Sequence, residues 1–390
     1  MTEFKNIEKI LIIKLRHIGD VLLTVPAIRA VRETFPRAYI AALVNKGTEE
    51  MLSGNPSLDE VIAFDRGMLK FPFYKRVKSE IQFANRIRRA GFDMAIDLTS
   101  GDRSAIYSYI SGARYRIAFD PQKRGFLGKS LFYTHLGKKL EGRNHIVLQN
   151  LHLVRQFGMD TSDLSVDIHI PQNDEEFVHK ILEKNGIWQK DRFIHIHPTA
   201  RWLFKCWRDE YMAEIMDFCE NEMGIKVVVT SGTDKKETDK INNILGMVKS
   251  SPVNLAALLT LKQLAAVSKR ATVFFGVDTA PIHIAAATGT PVIALFGPTG
   301  SYDWGPWDNN YNAECGMRNA ELEKTYSKQN GVRVLGKHIV IEEPIDCKPC
   351  KKGSCEGILL RECMDIIKPD RVKQAIETVI LHRKNSMAVQ

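Results

Sequence analysis

Residues 271–300 read ATVFFGVDTAPIHIAAATGTPVIALFGPTG. This stretch predicts a buried strand over 272–276, a tight loop, a short helix over 281–288 and a second strand over 292–296. Gly289 and Pro291 punctuate the helix end. Pro281 suits the first helical turn, where its missing N–H costs nothing. Two apolar runs joined by a helix make a right-handed βαβ unit, so GVDTAP and FGPTG open on one rim. Asp278 and Thr279 then stand beside free backbone N–H groups at a helix N-terminus, a ready anion site. The plainer alternative is that either residue only caps the helix.

Outward from this unit, the same alternation recurs. The run KILIIKL (9–15) is continuous and apolar, as a strand buried on both faces of a parallel sheet should be. The loop Arg16-His17-Ile18-Gly19-Asp20 follows, then helical periodicity over 21–35 with a kink or late start at Pro26. Further strands are expected at 39–44, 61–64, 94–98 and 116–119, and a basic amphipathic helix at 80–90. Pro171-Gln172-Asn173-Asp174 marks a boundary before a helix over 175–185. The pattern then restarts at 193–197, 226–230, 272–276 and 292–296. The expected fold is α/β, two Rossmann-like domains facing across a cleft: 1–172, 173–369, and a last helix within 370–390 packing back on the first domain.

The 390 residues are too many for one core and suit two domains. Hydrophobic content of 44% and charged content of 26% are those of a soluble globular protein. No 18-residue apolar segment occurs. The opening MTEFKNIEKI has no signal-peptide core, and seven cysteines are too few for a disulfide scaffold, so a cytoplasmic, reducing compartment is expected. The net charge of +9 is uneven: residues 1–172 hold 26 Lys/Arg against 18 Asp/Glu, the remainder 29 against 28. Within 64–143 the count is 17 against 7. A basic first half suits an anionic partner, whether nucleic acid, an anionic lipid surface or a phosphorylated glycolipid, unless it is a solvated face.

Three constellations carry candidate chemistry. Asp20, beyond the first strand, faces the crevice where α/β sheets bind ligands and suits a general base, or else caps the next helix. His197-Pro198-Thr199-Ala200-Arg201, with Lys205, Trp207 and Arg208, follows the first strand of the second domain; hydroxyl, ammonium and guanidinium suit a diphosphate. His195 and His197 lack a partner at metal spacing and read as structural. Ser231-Gly232-Thr233-Asp234 is a strand-to-loop turn with Glu237 beyond it, placed for a ribose hydroxyl pair or simply solvated. Cys347, Cys350, Cys355 and Cys363 are four thiols able to bind zinc tetrahedrally, but the spacing matches no strong motif, so no metal is expected to take part. The chain has no P-loop, no H-E-x-x-H and no G-x-S-x-G.

At these motifs the sequence resembles the ADP-heptose:lipopolysaccharide heptosyltransferases, most closely their heptosyltransferase III branch. ILIIKLRHIGDVLLTVPAIRAVRETFP (10–36), HPTARWLFKCW (197–207) and GVDTAPIHIAAATGTPVIALFGPT (276–299) carry the likeness, in order and across most of the chain. The resemblance implies a GT-B architecture with the acceptor on the first domain and the nucleotide sugar on the second. It implies Asp20 as catalytic base, Lys205 as the group that steadies the leaving diphosphate, and Thr199, Lys205, Glu237, Asp278, Thr279, Ala280 and His283 as the donor set. Some relatives have Gly where Ala280 stands. The implied reaction is an inverting transfer of L-glycero-D-manno-heptose from ADP to the lipopolysaccharide inner core, with no cofactor. No D-x-D carboxylate pair appears where a metal-dependent enzyme would have one. Arg88, Arg89 and Arg124 of the basic stretch are then expected to meet the phosphorylated lipid A–core acceptor at the cytoplasmic leaflet of the inner membrane. Another nucleotide-sugar transferase or a sugar-nucleotide epimerase is the alternative on the same architecture. A nucleic-acid-binding role lacks aromatics interleaved with the basic residues.

Overall fold

The computed structural model describes residues 4–310 except Lys123 and Arg143, then 331–343, 345, 350 and 362–387. The chain divides into two compact units at His169–Ile170. Each is built on a parallel sheet, because each has strands apolar enough to be buried on both faces.

In the first unit β1 (Lys9–Lys14) is buried from Ile10 onward. It lies between β2 (Tyr39–Asn45) and β4 (Met94–Asp97), with β3 (Glu60–Phe64), β5 (Tyr115–Phe119) and β6 (His135–Gly137) outside them. The order is β3-β2-β1-β4-β5-β6, all parallel. The helical run after β1 is two helices, Ile18–Leu22 and Val25–Thr34, and Pro26 sits in the first turn of the second, a late start and not a kink.

The second unit repeats that winding. Its sheet orders β9 (Val253–Asn254), β8 (Lys226–Val229), β7 (Phe193–His197), β10 (Val273–Val277), β11 (Val292–Leu295) and β13 (His338–Ile341) in parallel. An antiparallel edge strand, β12 (Val332–Leu335), closes it through the two-residue turn Gly336-Lys337. In both sheets the order reverses beside the first strand, between β1 and β4 and between β7 and β10. Ligands of doubly wound sheets bind at the carboxyl ends of the strands at such a switch point.

The opening stretch folds as its pattern predicts, with a helix Ala280–Ala287 between β10 and β11. Gly276 is required in β10: a Cβ there would lie 2.8 Å from the His197 carbonyl oxygen of β7. The C-terminal helix Pro369–Met387, expected to pack back on the first domain, places Val372, Ala375, Ile376, Val379 and Ile380 in the core of the second unit with Ile194, Phe275 and Ile341. Those five residues form the apolar stripe that the second sheet needs to cover one face.

Candidate functional site

In the second unit, the loops after β7 and β10 flank the switch point. The first carries Thr199 and Lys205, the latter on the short turn Leu203–Lys205. The second carries Asp278, Thr279 and Ala280 into the helix Ala280–Ala287. Lys205 Nζ donates to Asp278 Oδ2 at 2.7 Å, and Thr299 Oγ1, from the loop after β11, donates to the same oxygen. The Asp278 side chain is 7% exposed and that of Lys205 is 18% exposed, so the ammonium end is oriented at a nearly dry carboxylate. Neither Asp278 nor Thr279 caps the helix with its side chain. Asp278 is committed to Lys205 and Thr299, while Thr279 is the N-cap residue without a side-chain cap bond. Pro281 has no N–H and the Ile282 amide donates to the Thr279 carbonyl at 3.1 Å, so the Ala280 amide is the first-turn donor left for a ligand.

His283 lies one turn into that helix, buried, with no partner for Nδ1 among the described residues. Burial, with the Lys205 charge adding to it, pushes its pKa down to about 3, so the ring is neutral. Glu237 is buried, not solvated. It accepts from Thr199 Oγ1 at 2.8 Å and from the Gly232 amide at 3.4 Å. A Cβ on Gly232 would come within 2.7 Å of the Glu237 carboxylate, so that glycine makes room for the acid. Thr199, Lys205, Glu237, Asp278, Thr279, Ala280 and His283 therefore belong to one unit, at the carboxyl edge of its sheet. Arg208 is turned elsewhere, pairing with Asp365 at 3.2 Å.

The two strand histidines are structural. His195 bonds Ser268 Oγ at 3.0 Å and Thr230 Oγ1 at 2.8 Å, and His197 Nδ1 meets the same Thr230 hydroxyl at 2.9 Å. Burial holds His197 down to about 3 and His195 well below its usual range.

In the first unit, Asp20 stands in the first turn of Ile18–Leu22, whose N-cap is His17. The following helix is capped at Thr24, so Asp20 caps neither. Two neighbours that the sequence reading passed over organise this edge. Lys14, the last residue of β1, is buried; its ammonium donates to the Leu98 carbonyl at 2.9 Å and to Asn150 Oδ1 at 3.1 Å. Burial lowers its pKa to about 8, opposed by the negative charge of Asp20. Asp97, at the end of β4, accepts from the Thr99 and Ser100 amides and from the Tyr133 hydroxyl, and burial raises its pKa. Thr99 in turn accepts from the Leu15 amide at 2.8 Å, tying the loop after β4 to the strand that leads to Asp20.

The basic candidates separate. Arg124 lies in the loop after β5, on the same sheet edge as Asp20. Arg88 and Arg89 close the helix Phe73–Arg89, which leads into the start of β4, so they lie at the opposite edge. Arg88 lines a cavity of 630 Å³ there with Asn85, Tyr109 and Arg116. The structure thus places these two arginines on the edge away from Asp20 and Arg124. Of the four clustered cysteines, Cys347 and Cys355 lie outside the described residues. Cys363 is buried, and the Cys350 amide donates to the Pro298 carbonyl at 2.8 Å. Among the described residues no three His, Cys, Asp or Glu side chains are grouped to hold a metal.

Residues 81–332 match the family model described as glycosyltransferase family 9 (heptosyltransferase). The chain belongs to this family. A lipopolysaccharide heptosyltransferase 3 from Escherichia coli is 33% identical over 305 residues, 76% of this chain and 85% of that protein. Among solved structures, a family 9 glycosyl transferase from Veillonella parvula superposes with a TM-score of 0.76 at 20% identity, covering 96% of this chain and 97% of that one. The E. coli heptosyltransferase WaaC with ADP gives 0.70 at 18% identity, covering 95% and 99%. These likenesses give this family 9 member the GT-B fold. The matched region contains the loops after β4, β7, β10 and β11, so the Lys205–Asp278–Thr299 cluster lies within the family's own segment.

Proposed function

We propose that this enzyme transfers heptose from ADP-L-glycero-D-manno-heptose to a hydroxyl of the lipopolysaccharide inner core with inversion at the anomeric carbon. In this reading residues 1–172 hold the acceptor and 173–369 the donor. The observation that carries it is the orientation of Lys205 by buried Asp278 beside the uncapped Ala280 amide at a helix start. A heptosyltransferase relative at 33% identity supports the sugar, and the ADP in the WaaC structure supports the nucleotide.

The reaction is a single displacement. Asp20 takes the proton of the acceptor hydroxyl as its oxygen attacks the anomeric carbon; the bond from that carbon to the β-phosphate oxygen breaks, and ADP leaves with the electron pair. Lys205 and the Ala280 amide meet the charge that grows on the departing diphosphate, where oriented donors contribute most. Thr199, whose hydroxyl donates to Glu237, holds that acid in place beside the diphosphate, and Thr279, the Ala280 amide and His283 contact the heptose and phosphate. Glu237 accepts from the adenosine ribose. Arg124 meets acceptor phosphate on the edge that carries Asp20. The enzyme works from the cytoplasmic face as a peripheral protein; among the described residues no helix is long and apolar enough to cross a membrane.

The deciding experiment is mass-spectrometric product analysis with ADP-heptose and a truncated lipid A–core acceptor. One added heptose on the core and stoichiometric ADP are expected. Release of free heptose or epimerised donor without a core product would overturn the reading.

A further inference from the structure

The first unit leaves Phe71, Phe73 and Tyr74 in water between Lys70 and Lys75, an interleaving of rings and cations that the sequence reading did not expect. Residues 66–78 read RGMLKFPFYKRVK, with five Lys/Arg and no Asp/Glu. Every residue over 71–76 is exposed, Phe73 by 82% and Tyr74 by 67%. The helix Phe73–Arg89 is anchored through Ile87, near its far end, so its first turns project beyond the core. Lys75 Nζ stands 6.0 Å from the centre of the Tyr74 ring. Because this helix follows β3, which is parallel to β1 through β2, its first turn lies at the sheet edge that carries Asp20. The loop after β5 reaches the same edge, where Lys129 Nζ donates to the Ser100 carbonyl at 2.8 Å, and exposes Leu127.

Large rings beside a run of cations cannot pair with a second copy of themselves, since a two-fold contact would set five positive charges against five. They suit a surface that is apolar a few ångströms down and negative above. That is the acyl–headgroup boundary of an anionic bilayer, where aromatic side chains insert and Lys and Arg remain among the phosphates. We propose that the projecting tip 71–76, aided by Leu127, inserts into an anionic lipid surface and turns the Asp20 edge toward it. An acceptor sugar then reaches Asp20 while its lipid stays in the membrane. This rests on the reading of the acceptor as a lipid-borne saccharide.

The test is flotation of the full-length protein with phosphatidylethanolamine–phosphatidylglycerol vesicles, against phosphatidylcholine alone, with a single-stranded oligonucleotide as competitor. Wild type is expected on the anionic vesicles only, and weakly at high salt. Phe73→Ser/Tyr74→Ser should reduce partitioning by about tenfold or more, as should Leu127→Asp in a second variant that leaves the tip intact. Both should keep wild-type turnover on a deacylated, water-soluble acceptor and lose it on a vesicle-borne one. Partitioning of both variants equal to wild type overturns the proposal, as does displacement of wild type from vesicles by the oligonucleotide. Should wild type float on anionic vesicles yet transfer heptose to neither acceptor, the heptosyl-transfer reading fails while the docking surface stands.

Discussion

Lys205 Nζ lies 2.7 Å from Asp278 Oδ2, and the Thr299 hydroxyl donates to that same oxygen. A lysine four carbons long is otherwise a mobile point charge; here a nearly dry carboxylate fixes it. Lys205→Ala should therefore do two things. ADP binding by calorimetry should weaken by about tenfold or more, the loss expected for one charge-assisted bond. Stability in urea should fall by about 1–3 kcal/mol, because Asp278 remains buried with one donor fewer. Unchanged ADP affinity would remove Lys205 from the diphosphate site.

Asp20→Asn keeps the shape of the first turn after β1 and removes the base. Turnover should fall by at least about a hundredfold, the common size of a general-base contribution. The melting temperature should stay close to wild type, since Asp20 caps neither neighbouring helix. Near-normal turnover at neutral pH would sink the assignment.

Glu237→Gln tests the ribose contact separately from the phosphates. The Thr199 hydroxyl keeps an acceptor in the amide, so the fold should hold. Inhibition by ADP should weaken while inhibition by inorganic pyrophosphate stays the same. Equal loss of both would place Glu237 at the diphosphate instead.

Acid should destabilise the second unit through its buried histidines. His197, His283 and His338 are buried with pKa values near 3, against 6.5 in an unfolded chain. Between those values the unfolded chain binds the proton and the folded one does not. Stability is thus complete above the unfolded value and is lost progressively as pH falls toward 3. At pH near 5 each ring costs about 2 kcal/mol by linkage. Urea midpoints should drop steeply from pH 7.5 to 5; a flat profile would show that these rings accept protons in the folded state.

Much of this was readable beforehand because parallel strands are apolar without interruption. KILIIK and VFFGV announce themselves, and glycine and proline mark the ends of the helix between β10 and β11. The short edges did not show. β6 and β9 are three and two residues long, and β13 opens on the buried polar His338. The two-residue Gly336-Lys337 turn is the signal that would have found the β12–β13 pair. The helix predicted over 80–90 begins at Phe73 because its first turns carry no apolar stripe facing a core. Thr299 and Lys14 were passed over for a different reason. Hydrogen bonds from Thr299 to Asp278, and from Lys14 to Leu98 and Asn150, join residues distant in the chain, and no local spacing encodes them.

Gly297, after β11, has no room for a side chain: a Cβ would lie 2.5 Å from Met364 Sδ and 3.1 Å from Cys363 Sγ. Trp207, two residues beyond Lys205, donates through its indole to the Ile367 carbonyl at 3.0 Å. Both loops that bear on Lys205 and Asp278 are thus backed by residues 363–367, which follow them far downstream in the chain. The first unit is fully synthesised some two hundred residues earlier and is free to fold as it emerges. The loops of Lys205 and Asp278 must wait for residues 363–367. A nascent chain that stops short of residue 363 therefore carries a complete first unit and an unbacked Lys205–Asp278 pair.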